Sequence, residues 1–190
     1  MDRQDKTWTR GNGRSGFVLQ VLLAALLVAV DQLTKAAVVS GLSDGRSVAL
    51  IPNVLELTLV YNTGAAFGLG RGAKWLFVGA AILIIAGLLV WLWMHADPGK
   101  KTGDANDIQE TGDAGNSGRR GSAFLKTAMV LLIAGAAGNL IDRLRIGVVI
   151  DFIYLKIINF PVFNVADICV TVGCAMLLLW LVFNTGPDKV

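Results

Sequence analysis

Charge is scarce in this chain. Asp, Glu, Lys and Arg make up 16% of its 190 residues, while 54% are hydrophobic and mean hydropathy is +0.61. An ordinary soluble domain carries about 25% charged residues, so this balance points to a bilayer rather than to water. Histidine is nearly missing: His95 is the only one. It follows the apolar run Trp75–Met94, at the end remote from the acids described below, and reads as structural or solvated. A Ser–His or Cys–His mechanism needs its base within hydrogen-bond reach of the nucleophile, and His95 is badly placed for that. Cysteine is limited to Cys169 and Cys174. Five residues apart on one helix, the two point about 140° apart, so they form no disulfide with each other. No zinc-ligand spacing exists. Both cysteines read as core packing, and neither a metal nor an organic cofactor is expected.

What the chain does have is long apolar segments. Spanning hydrocarbon takes roughly 20 apolar residues. Four runs qualify: Phe17–Val39, Trp75–Met94, Ala123–Ile141 and Pro161–Phe183. The expectation is an all-α membrane protein with four transmembrane helices over 17–39, 75–94, 123–141 and 161–183. The basic N-terminus is not read as a cleaved signal, because the run after it is long and continues through Asp31 and Lys35. The net charge of +3 suggests no nucleic acid, since the positive residues gather at segment ends. Arg3, Lys6, Arg10 and Arg14 precede the first run, and Lys100, Lys101, Arg119 and Arg120 separate the second from the third. The positive-inside rule then places both termini in the cytoplasm. Residues 1–16 and 184–190 read as cytoplasmic tails. Residues 96–122, rich in Gly, Asp, Asn and Ser, have too few apolar groups to bury a core and read as a flexible cytoplasmic loop.

Between the first two spans, residues 54–61 alternate: Leu55, Leu57, Leu59 and Tyr61 face one way, Glu56 and Thr58 the other. Period two indicates a half-buried strand. After it comes Asn62-Thr63-Gly64, small-residue backbone suited to a tight turn or a close approach to a ligand. Near the end of the third run, the small residues 134–138 allow a neighbouring helix to come close.

Polar residues converge at one depth. Asp31 lies in the outer half of the first helix; Asn139 and Asp142 lie at the outer end of the third; Asp151 falls in the outer loop; Asp167 stands six residues beyond Pro161. The inner halves of the same helices carry almost no acids. Ionisable groups gathered at one level of a membrane bundle mark a site. Each also has a bland reading. Asp31 and Lys35, four apart, can form a structural ion pair. Asp142 and Arg143 can pair at a helix end. Asn164 can cap a helix in which Asp167 is the third residue, unless Pro161 starts the helix earlier. Asp151, set among Val148, Val149, Ile150, Phe152 and Ile153, is harder to excuse. Two carboxylates brought within a few ångströms share a proton; one then activates water while the other polarises a carbonyl. A small proton- or ion-coupled transporter and a non-catalytic scaffold are the rival readings.

Five blocks, in order, resemble the lipoprotein signal peptidases, or signal peptidase II. They are Asp31-Gln32 with Thr34-Lys35; Asn62 with Gly64-Ala65-Ala66-Phe67; Gly138-Asn139 with Asp142-Arg143; Val149-Ile150-Asp151-Phe152-Ile153; and Phe163-Asn164 with Ala166-Asp167. The resemblance covers residues 17–183, with the tail and the 96–122 loop outside it. It implies an aspartic endopeptidase of the bacterial cytoplasmic (inner) membrane, with its active site near the outer face. Such an enzyme cuts diacylglyceryl-modified prolipoproteins just before the lipidated cysteine. By resemblance Asp151 and Asp167 are the catalytic dyad. Asn139, Arg143, Asn62 and Gly64 bind substrate, and Asp31, Lys35, Asp142, Asn164 and Ala166 support the site. It also implies a small extracytoplasmic β-cradle between helices 1 and 2, contact with membrane lipids and inhibition by the cyclic peptide globomycin; a monomer is expected, though no residue pattern reveals the oligomeric state.

Overall fold

The computed structural model describes residues 12–64, 73–95 and 112–184. The expectations for residues 1–11, 65–72, 96–111 and 185–190 lie outside the described residues. Four helices run in order: α1 (Asn12–Leu42), α2 (Lys74–Met94), α3 (Gly112–Arg145) and α4 (Val165–Asn184). Each has a stretch long and apolar enough to cross a membrane. α3 is the central helix: half of its spanning stretch is buried, against a small fraction of the other three. The outer helices turn large apolar side chains outward, as Leu33, Leu83 and Val182 show. Lipid is the medium in which such exposure is favourable and in which helices satisfy their own backbone.

Two clusters hold the bundle. Ala24, Leu92, Leu125, Met129, Val130, Ile133 and Ala134 form one, joining α1, α2 and α3. Val38, Leu42 and Phe152 form the other, with Leu57 and Leu59 packed against them. This second cluster ties α1 to a three-stranded antiparallel sheet, ordered β1 (Ser47–Ile51), β2 (Leu55–Asn62), β3 (Val149–Leu155). The alternating stretch is thus a strand, one residue further on than the period suggests. The cradle is wider than a feature between helices 1 and 2: its third strand comes from the α3–α4 connection. Asn159 follows this strand. It takes a left-handed conformation after the one-turn 3-10 helix Lys156–Ile158 and accepts a hydrogen bond from the Tyr154 hydroxyl at 2.6 Å.

The helix limits need correction. α1 starts at Asn12 and α3 at Gly112, so residues 12–16 of the expected tail and 112–122 of the expected loop are helical. Hydropathy marks where a helix meets hydrocarbon, whereas helical hydrogen bonding continues into polar sequence. α3 likewise runs past Ile141 to Arg145, which puts Asp142 and Arg143 on the helix. α4 begins at Val165, not Pro161, because Phe163 pairs with β3 instead.

Small residues set the approach of α3 to its neighbours. A Cβ on Gly135 would lie 2.4 Å from the Ala166 carbonyl oxygen, and one on Gly138 would lie 2.6 Å from Asp31 Oδ2. Real contacts are not that short: at Gly135 the obstacle is backbone, so glycine is required, and at Gly138 a Cβ would displace the Asp31 carboxylate from Lys35 and the Ala166 amide.

Candidate active site

Asp151 sits mid-strand in β3 opposite Val60 of β2. Asn62, two residues beyond Val60, lies on the same face as a diagonal neighbour. Its Nδ2 donates to Asp151 Oδ2 at 2.9 Å, while its Oδ1 accepts the Gly64 amide at 2.9 Å. On the other edge, the Phe163 amide donates to the Ile153 carbonyl at 3.0 Å and the Ile153 amide returns to the Phe163 carbonyl at 2.8 Å. That bridge brings the next residue, Asn164, alongside β3. Asn164 is fully buried and its Nδ2 donates to Asp151 Oδ1 at 2.6 Å.

Asn164 is also the N-cap of α4. Its Oδ1 accepts the Asp167 amide at 2.9 Å, and its own amide donates to Asp167 Oδ2 at 3.2 Å. This is a reciprocal capping arrangement. The capping reading of Asp167 is therefore correct, and it does not remove Asp167 from the site. The other oxygen, Oδ1, accepts Asn139 Nδ2 at 2.8 Å, and Asp167 lines the same cavity as Asp151. All four carboxylate oxygens of the two acids thus receive one N–H each, and each keeps a lone pair for a further partner.

A buried ionic cluster fixes this frame from behind. Lys35 Nζ lies 2.9 Å from Asp31 Oδ2, 2.8 Å from Asp142 Oδ2 and 3.2 Å from Asn139 Oδ1. An ammonium group has three donors, and here all three have acceptors. Its contact with Asn139 Oδ1 turns the amide nitrogen of that residue toward Asp167. Asp31 Oδ1 accepts the Ala166 amide at 2.9 Å, which pins the first turn of α4 to α1. Asp142 Oδ2 accepts the Ile150 amide at 3.2 Å, next to Asp151. Asp142 pairs with Lys35 rather than with Arg143, contrary to the helix-end pair considered from sequence. Gln32 completes the cluster, donating toward Asp142 Oδ1 at 3.0 Å and the Gly138 carbonyl at 3.2 Å. The only sequence sign of this was its position inside the Asp31–Lys35 block.

Arg143 leaves the last turns of α3 and donates to the Asn139 carbonyl at 3.3 Å and the Gly64 carbonyl at 3.2 Å. Asp151, Asp167, Asn62, Asn139, Gly64 and Arg143 all line one cavity of about 490 Å³, whose other walls are largely apolar. Every catalytic and substrate-binding residue expected from sequence meets there. Asp31, Lys35, Asp142, Asn164 and Ala166 lie behind it. Burial pushes the Asp151 carboxyl up to about 6, and neighbouring Asp167 adds to this, against the lowering effect of the Asn62 and Asn164 amides. A carboxyl so tuned can hold a proton in mildly acid to neutral water, and two acids on one cavity can divide the roles of base and acid. Among the described residues no group of His, Cys, Asp and Glu has the arrangement of a metal site. His95 lies at the far end of α2, stacked on Trp91 at 4.3 Å. Cys169 is buried, as core packing requires, whereas Cys174 is exposed, which corrects its reading as core; neither is disulfide-bonded.

Residues 23–183 match the family model described as Signal peptidase (SPase) II. The chain is 38% identical over 167 residues to the lipoprotein signal peptidase of Symbiobacterium thermophilum, covering 87% of this chain and 95% of that one. It is 36% identical over 173 residues to the lipoprotein signal peptidase of Lactiplantibacillus plantarum, covering 90% and 99%. A solved bacterial membrane enzyme, determined by the in meso method, superposes with a TM-score of 0.70 at 30% identity, covering 90% of this chain and 92% of that one. These similarities lend no support to the transporter reading.

Proposed function

The chain belongs to the signal peptidase II family, and on that premise we propose that it removes signal peptides from prolipoproteins by an aspartic mechanism in which Asp151 and Asp167 form the catalytic pair. The observation that carries this is the shared cavity, which both aspartates line while every one of their carboxylate oxygens is held by an N–H. One carboxylate takes a proton from water as the water attacks the scissile carbonyl. The other, protonated, gives its proton to the developing oxyanion; the first then passes the proton it took from water to the leaving amine as the C–N bond breaks, and the second recovers its proton as the carbonyl re-forms. Arg143 and Asn139 offer donors to the extended substrate backbone, and Asn62 and Gly64 border its path. A diacylglyceryl-modified substrate suits a site set in a bundle whose outer helices face lipid, since its acyl chains remain in the bilayer. Globomycin is expected to compete for the same cavity.

The protein is a multi-pass membrane protein. The bacterial inner membrane, cytoplasmic termini, a site near the outer face and a monomeric state complete the proposal. Labelling of single introduced cysteines from either side of sealed vesicles tests the orientation; outer labelling of the termini would reverse it. Activity is tested by incubating the purified protein with a diacylglyceryl-modified prolipoprotein peptide and with its unmodified twin. Mass spectrometry is expected to show cleavage immediately before the modified cysteine, and none of the twin. Equal cleavage of both peptides would refute the lipid-dependent reading.

A further inference from the structure

Phe77 lies in the first turn of α2 and belongs to none of the motifs above. The Arg143 guanidinium stands 5.1 Å from the centroid of its ring, inside the range of about 6 Å for a cation–π contact. Among the described residues the other partners of Arg143 are the carbonyls of Asn139 and Gly64, which are neutral. Among the described residues Arg143 makes no ion pair with a carboxylate, although it lines the same cavity as Asp151 and Asp167. An unrestrained arginine beside two carboxylates would close onto one of them in a bidentate pair. Such a pair favours the ionised acids and drives off the proton that they share. A ring face and two carbonyls satisfy the guanidinium without adding negative charge.

We infer that Phe77 is a positioning residue: its ring holds Arg143 away from Asp151 and Asp167, so that the cation stays available to substrate carbonyls and the two acids keep one proton between them. This rests on the aspartic reading above. Among the described residues the charged groups around Arg143 and the pair are Asp151 from β3, Asp167 from α4, Asp142 on α3 itself, and Asp31 and Lys35 from α1. Lys35 is already bound to Asp31, Asp142 and Asn139. Among the described residues lining the cavity, Arg143 is the one cation.

The test is the pH profile of prolipoprotein peptide cleavage by the full-length protein. In Phe77→Leu both limbs of the bell are expected to move to lower pH by about one unit, the low end of what an adjacent arginine does to a carboxyl. Cleavage on the alkaline side then falls about tenfold. Phe77→Tyr keeps the ring face and is expected to keep the wild-type profile. Phe77→Met fills similar volume without a ring and carries the same expectation as Phe77→Leu should the leucine variant not fold. Infrared titration reports the same change without turnover: the protonated-carboxyl band that Asp151→Asn removes should disappear at lower pH in the ring-less variants. A bell and band at their wild-type positions, with only the melting temperature lowered, would reduce Phe77 to packing. A flat wild-type profile would sink the aspartic reading itself, and the role of Phe77 with it.

Discussion

The titration of Asp151 should be visible in stability. Its carboxyl is raised from 3.8 to about 6. For an acid raised on folding, the folded state binds more protons than the unfolded one between the two values. The stabilising contribution is full below about pH 3.8 and is lost as pH rises through about 6, a loss on the order of 3 kcal/mol at 1.36 kcal/mol per unit. Melting in detergent from pH 4 to 8 is expected to show this fall in the wild type, and Asp151→Asn should flatten that part of the curve. An equally steep fall in the variant would assign it to another group. Asn164 separates two jobs. Asn164→Ser keeps a cap on the Asp167 amide but loses the donor to Asp151. A stability loss of about 1 kcal/mol is expected, together with a further upward shift in the acid titration of cleavage, since the lost hydrogen bond favoured the charged form. A profile shifted downward would contradict the assignment. Asp151 was legible in the sequence because an acid amid large apolar residues needs a reason. The cap at Asn164 was only one of two readings, because Pro161 is an equally good helix starter until Phe163 is seen paired with β3. Phe77 left no signal at all, being one aromatic in an unbroken apolar run.

Among the elements, the contact of α3 with α4 sets the separation of the Asn139 and Asp167 side chains. Gly135→Ala would drive a Cβ to 2.4 Å from the Ala166 carbonyl oxygen, a backbone atom that cannot rotate away. Destabilisation of about 1–3 kcal/mol is expected from such overpacking, with cleavage reduced because the first turn of α4 is displaced. Unchanged melting and activity would show that the two helices are not held at this distance. Sequence announced the small residues and the four spans clearly, since a membrane helix needs length and apolarity alone. It announced the sheet poorly. β1 is exposed throughout and has no alternation to reveal it, and β3 reads as an apolar run broken only by Asp151 that suits a strand or a buried loop equally. The ends of α1 and α3 were hidden because their polar turns leave the hydropathy signal before they leave the helix.

At the scale of the molecule, the site is assembled from all the elements around α3. Lys35 reaches Asn139 across 104 residues of sequence, and Asn62 reaches Asp151 across 89. Sequence placed these groups at one depth in the bundle, which is a statement about levels along helices and not about which side chains meet. The meeting depends on which faces α1 and α4 present to α3 and on the β3–Phe163 bridge, and neither follows from local pattern. The central claim is that Asp151 and Asp167 act as a pair on one substrate. Its most direct test is cleavage of a diacylglyceryl-modified prolipoprotein peptide by wild type, Asp151→Asn and Asp167→Asn, each first shown by thermal melting to be folded. Both variants are expected to lose at least about a hundredfold in rate, the lower end of what a positioned acid or base contributes. Cleavage near the wild-type rate by either folded variant would remove that aspartate from the chemistry and contradict the account.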